Sequence, residues 1–160
     1  MKINYRQAEK TDNSRLAGII RKVFEEFGAP REGTVYSDPS TDNLYELFKI
    51  PNSILWVAEI YNEVVGCCGI YPSDGLTRNC AELVKFYVSR IARGMGIGKE
   101  LMRKCIDSAK EFNYTQLYLE SLPEFTKAIG MYEKQGFERL DQPLGISKHS
   151  TCSIWMLKNL

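Results

Sequence analysis

Residues 80–112 read CAELVKFYVSRIARGMGIGKELMRKCIDSAKEF, and two periods meet inside them. From Ala81 to Val88 the chain alternates with the two-residue period of a strand. That period sends Glu82, Val84, Phe86 and Val88 to one face and Leu83, Lys85 and Tyr87 to the other. After the turn Arg93-Gly-Met-Gly-Ile-Gly98-Lys99, a helical period takes over. Ile97, Leu101, Cys105, Ile106, Ala109 and Phe112 recur at three- and four-residue steps and form one apolar face. A glycine-rich turn running straight from a strand into a helix gathers free N–H groups and the positive end of the helix dipole at one point. Such a point suits a phosphate-bearing ligand.

Spacing narrows the ligand. A nucleotide-triphosphate loop needs Gly, four residues, then Gly-Lys-Ser/Thr. Here Gly94 and Gly98 enclose three residues, and Glu100 follows Lys99 where a magnesium-binding hydroxyl belongs. In a G-x-G-x-x-G dinucleotide fingerprint, Gly94 and Gly96 fit, but the third position is Lys99. What fits is Arg93-x-x-Gly96-x-Gly98 between a strand and a helix. This resembles the acetyl-CoA pyrophosphate loop of the GCN5-related N-acetyltransferase (GNAT) family.

The composition is that of an ordinary soluble globular protein: 160 residues, 44% hydrophobic and 26% charged, with a net charge of +1. Acids and bases are mixed along the chain, without the basic stripe a nucleic-acid backbone requires. The start, MKINYRQAEK, is polar, and no apolar run approaches the roughly 20 residues of a membrane span. The expectation is a cytoplasmic protein that binds neither nucleic acid nor membrane. The five cysteines include the adjacent pair Cys67-Cys68 in an apolar run and no C-x-x-C spacing. They read as reduced thiols rather than a disulfide framework or a metal site.

Outward from the central segment, residues 2–8 predict a first strand, and Thr11, Asp12 or Asn13 caps a helix that Gly28 stops. Residues 28–41 form a long loop with Pro30, Gly33 and Pro39, followed by a short helix over 42–49. Ile54–Tyr61 and Val64–Tyr71 read as a hairpin joined at Asn62-Glu63. Residues 116–120 are a buried strand, and Ser121-Leu-Pro-Glu124 has the spacing of a capping box opening the next helix. Residues 137–140 and 151–158 complete the strands. The order β-α-α-β-β-β-α-β-α-β-β matches the GNAT fold over the full chain. The expectation is therefore an α/β (α+β) protein, one domain over 1–160, with a mixed central sheet of about seven strands and about four helices.

The resemblance implies an enzyme that moves the acetyl group of acetyl-CoA, with no metal, to a primary amine on a small molecule or peptide. The transfer would be direct, in a ternary complex. The alternative is a non-catalytic acyl-CoA-binding or sensor module on the same fold. A homodimer is left open. Phe86, Tyr87 and Val88 would pair with the pantetheine arm as an added strand does. Arg93, Gly94, Met95, Gly96, Ile97, Gly98 and Lys99 would hold the pyrophosphate, with Arg93 and Lys99 neutralising its oxygens. Glu82, eleven positions before Arg93, stands where the histone-acetylating branch carries its catalytic glutamate. Burial beside Val84, Phe86 and Val88 would raise its pKa toward neutrality. In Ala128-Ile-Gly-Met-Tyr132-Glu-Lys-Gln-Gly136-Phe137, Tyr132 falls where the family places the tyrosine that protonates the coenzyme A sulfur. The asparagine often found three residues before that alanine is Phe125 here. Tyr36 and Asp38 in the long loop, and His149 in the last one, are acceptor-site candidates or simple loop residues.

Overall fold

Seven strands form one mixed sheet: β1 (Ile3–Gln7), β2 (Ile54–Ile60), β3 (Glu63–Tyr71), β4 (Cys80–Val88), β5 (Gln116–Ser121), β6 (Glu138–Arg139) and β7 (Ile154–Asn159). The computed structural model describes all of residues 1–160. The strand order is β1-β2-β3-β4-β5-β7-β6, with every pairing antiparallel except β4 beside β5. Helices α1 (Asn13–Phe27) and α2 (Leu44–Leu47) cover one face, and α3 (Ile97–Glu111) and α4 (Thr126–Lys134) the other. The core is accordingly double. Leu16, Ile20 and Phe24 of α1 pack on Leu55, Val57 and Cys67, while Leu101, Met102 and Cys105 of α3 pack on Ala58, Cys68, Ile70 and Leu83.

The helix periods read from the sequence are those observed, and α1 ends at Gly28 with φ +63°, the left-handed conformation that glycine adopts without a Cβ penalty. Local signals at element ends fare less well. The hairpin turns at Tyr61-Asn62, with φ +50° and +65°, one residue before the expected Asn62-Glu63. Positive φ at both central residues is the twist-compatible two-residue turn. The α1 start is preceded by a 3-10 turn, Lys10–Asp12, and Asp12 caps no helix bond; its carboxylate accepts from Arg6 at 2.8 and 3.0 Å. The capping box at Ser121 does not form. Ser121 stays in β5 opposite Ile154, its carbonyl accepts from Ser153 N–H, and α4 begins only at Thr126. Sheet pairing claims the residue that the local pattern assigned to a cap.

Two features of β4 shape the site. It pairs with β5 only at Cys80, Ala81 and Glu82, although both strands continue beyond, so the parallel pair splays apart. It also carries a bulge: Cys67 faces Tyr87 and Gly69 faces Val84, so Lys85 and Phe86 together oppose Cys68. Lys85 has φ +56°, and its carbonyl accepts from the Cys67 thiol at 3.1 Å. The extra residue switches the alternation. Ala81 and Leu83 pack toward α3, and so do Phe86 and Val88. Glu82 therefore does not share a face with Phe86 and Val88, as uninterrupted alternation predicts.

Candidate active site

The splayed edge of β4 opens a cavity of about 370 Å³ that runs past the glycine-rich loop. Phe86, Tyr87, Val88, Arg93, Gly94, Gly96, Ile97, Gly98, Lys99 and Tyr132 all line it; Met95 does not, and packs on the core instead. The loop backbone is built to donate. Glu100 N–H, bonded to the Gly96 carbonyl, makes the first helical bond of α3, and the N–H groups from Gly94 through Lys99 meet no acceptor in the chain. Gly94 and Gly96 hold φ of +80° and +79°. Gly98 is small for a different reason: a Cβ there would meet Met131 Cε and Phe86 Cζ at 3.0 Å.

Arg93 lines the cavity and is held from α1. Its guanidinium pairs with the Glu26 carboxylate of α1, its Nε–H donates to the Val88 carbonyl at 3.1 Å, and it lies 5.0 Å over the Phe27 ring. It clamps the loop to α1. The exposed cations on the cavity are Lys99 and Lys127, the second of which sequence reasoning passed over. Phe125 packs edge-on against Phe24 at 5.1 Å and borders the same cavity with an aromatic wall.

Tyr132, on α4, is 7% exposed, with its ring 5.8 Å from Phe86 and 5.9 Å from Phe137. Burial pushes its pKa well above that of a free phenol, and the nearby Cys68 and Cys152 thiols add to the rise. Glu82 is half-buried where β4 and β5 part. Burial raises its pKa to about 7; Glu120 adds to the rise, and Ser73 and Lys85 oppose it.

A second cavity, of about 340 Å³, lies beside the first. Glu82, Val84, Lys85, Glu120 and His149 line both and so mark the junction. Residues 144–149 strap the second cavity. Leu144 N–H donates to the Tyr118 hydroxyl at 3.2 Å, and the Ser147 hydroxyl donates to Glu120 at 2.6 Å. His149 Nε2 lies 2.8 Å from Asp38 Oδ2. Burial raises the Asp38 pKa, but bonds from His149 and from the Ser40 N–H and hydroxyl outweigh it and bring it to about 2. Asp38 and His149 are thus brought together at the junction, 111 positions apart in sequence. Tyr36 lines neither cavity: its hydroxyl donates to Glu25 at 2.7 Å. Lys85 and Glu120 were not singled out from the sequence. A lysine inside the apolar run Leu83–Val88 is the signal that could have found the first.

These features have counterparts in known proteins. The chain belongs to the acetyltransferase (GNAT) family, whose model matches residues 20–137. It is 37% identical over 150 residues to the uncharacterized N-acetyltransferase YjgM of Escherichia coli, covering 93% of this chain and 90% of that one. It is 34% identical over 92 residues to human N-acetyltransferase 8B, spanning 56% of this chain and 40% of the human one. Among solved structures, a GNAT-family acetyltransferase from Staphylococcus aureus superposes with a TM-score of 0.85 at 24% identity, over 99% of both chains. The PaiA N-acetyltransferase of Thermoplasma acidophilum, solved with coenzyme A, gives 0.79 at 18% identity over the whole of both chains. These two share the fold.

Proposed function

We propose that the chain, acting as one domain over residues 1–160, is an acetyl-CoA-dependent N-acetyltransferase that passes the acetyl group directly to a primary amine. The observation that carries this reading is the junction. A cavity lined by free loop amides meets a second, polar cavity at Glu82, a carboxyl raised to about 7. The loop amides suit a pyrophosphate, and the edge of β4 beyond Glu82, with no strand beside it, suits an extended amide-bearing arm. Acetyl-CoA supplies the acetyl group as a thioester. Glu82 takes the proton that the amine gives up as the C–N bond forms. Tyr132 donates a proton toward the sulfur as the C–S bond breaks. The raised phenol pKa keeps that proton in place across the working pH range, and the apolar walls that raise it also raise the basicity of a thiolate formed beside it. All five cysteines are free thiols, which suits the reducing cytoplasm. Incubation with acetyl-CoA and a panel of amines, monitored by thiol release, tests the reading. An enzyme releases coenzyme A in step with an acetylated amine. A protein that binds acetyl-CoA and releases no thiol with any amine is the binding module instead.

A further inference from the structure

Lys85 is the group at the junction that acetyl transfer leaves without a role. It is 7% exposed and lines both cavities, carried there by the bulge at φ +56°. A lysine so far buried is rare unless paired. The Lys85 ammonium has no hydrogen-bonding or ion-pairing partner in the chain; burial lowers its pKa, and Asp38 and Glu82 oppose that only through space. Two of the nearby carboxylates already accept other bonds. Asp38 is bonded to His149 and Ser40, and Glu120 accepts from Tyr118 and Ser147. The ammonium is left for whatever enters the cavity.

The surroundings say what that is. A simple amine would leave the Lys85 ammonium without a bonded partner. A phosphate or phosphonate would bring two negative charges into a cavity where four acidic side chains, Asp38, Asp74, Glu82 and Glu120, already outnumber two lysines, Lys85 and Lys148. A single carboxylate pairs with the Lys85 ammonium, while Glu82 receives the ammonium of the same molecule. The cavity holds about 340 Å³ and is strapped by residues 144–149 against Tyr118, Glu120 and Asp38, the dimensions of a small-molecule site rather than a groove for a peptide. Resting on the acetyl-transfer reading above, we propose that the acceptor is a free amino acid or similarly small amino carboxylate, whose carboxylate Lys85 binds.

Calorimetry on the protein, with and without coenzyme A, decides this against the standard L-amino acids and their matched decarboxylated amines, carboxamides and aminophosphonates. The expected result is that at least one amino acid binds ten times more tightly than its own amine, amide and phosphonate. Lys85→Met, which keeps the stem and removes the charge, should erase that preference while coenzyme A affinity stays within twofold. An amine, amide or aminophosphonate that binds as tightly as the amino acid overturns the proposal. So does a panel in which no amino acid binds, or a preference that survives in Lys85→Met. Should coenzyme A itself fail to bind, the acetyl-transfer reading falls, and the amino-acid titration of the free protein still decides the role of Lys85.

Discussion

Burial acts on Glu82 and Tyr132 in the same direction and serves them differently. It lifts a carboxyl to about 7, where it can accept a proton from an amine, and it lifts a phenol well above its usual range, where it stays protonated. In the proposed reaction kcat/KM should rise as pH climbs through about 7, and Glu82→Gln should lose that limb along with 10²–10⁴-fold in rate, the usual contribution of general base catalysis. The same shift predicts stability. The folded state holds the Glu82 proton to a higher pH than the unfolded chain, so stability falls as pH rises from about 4.5 to about 7 and is flat beyond. Glu82→Gln should accordingly melt higher than wild type at pH 8, and an unchanged melting temperature there would mean the carboxyl is not raised. For Tyr132→Phe the ring and its contacts with Phe86 and Phe137 survive. The expected outcome is a 10²–10⁴-fold fall in kcat with a nearly constant Kd for acetyl-CoA. Turnover within about threefold of wild type would leave Tyr132 as core.

The loop and the bulge show how an element can be shaped by what it must not contain. At Gly96 nothing lies within 4 Å of the point a Cβ would occupy, so sterics with neighbours permit a side chain and only φ +79° forbids it. Gly96→Asp adds backbone strain of about 1–2 kcal/mol and sets a carboxylate among the free amides. Calorimetry should find coenzyme A binding abolished in a variant that circular dichroism shows to be folded. Arg93 makes a separate prediction. Since its guanidinium is engaged with Glu26, the loop is positioned by a clamp to α1. Glu26→Ala should weaken coenzyme A binding about as much as Arg93→Ala does. If Arg93 acted on the pyrophosphate alone, losing Glu26 would leave affinity unchanged or improve it, and parallel titrations separate the two.

Across the whole molecule, the N-terminal strand is tied to the sheet and to α1 by one polar cluster. Arg6 bridges Asp12, at 2.8 and 3.0 Å, and Glu59, at 3.1 Å, while Asn4 also donates to Glu59 at 2.8 Å. Asp12 and Glu59 are both buried. Arg6→Ala would strand them, and breaking a buried pair from one side costs about 3–5 kcal/mol, which denaturant unfolding reads directly. Burial raises the Asp12 pKa, but bonds from Arg6 and from Glu9 N–H outweigh it and leave it lowered. This contribution is therefore present above the unfolded carboxylate pKa and lost as pH falls through the lowered folded value, so the variant should gain least from neutral pH.

What the sequence determined by itself was everything carried by local periods and backbone demands. The helical runs of α1 and α3, the alternating strands, Gly28 as a stop and the Gly94–Gly98 loop all follow from contacts within a few residues, and their order, set beside the resembled family, gives the expected fold. Tertiary pairing decided the rest. Ser121 is a strand residue because β7 lies beside it, and Asp12 is an ion-pair partner because Arg6 faces it across a turn. The bulge at Lys85 exists only against β3, and it moves Lys85 to a cavity that the unbroken alternation does not predict. His149 reaches Asp38 because the last loop closes over the sheet. A period of two or 3.6 records which face a residue takes while its element stays regular. Where an element is interrupted, and which distant chain then covers it, is set by packing between segments and leaves no mark on local spacing.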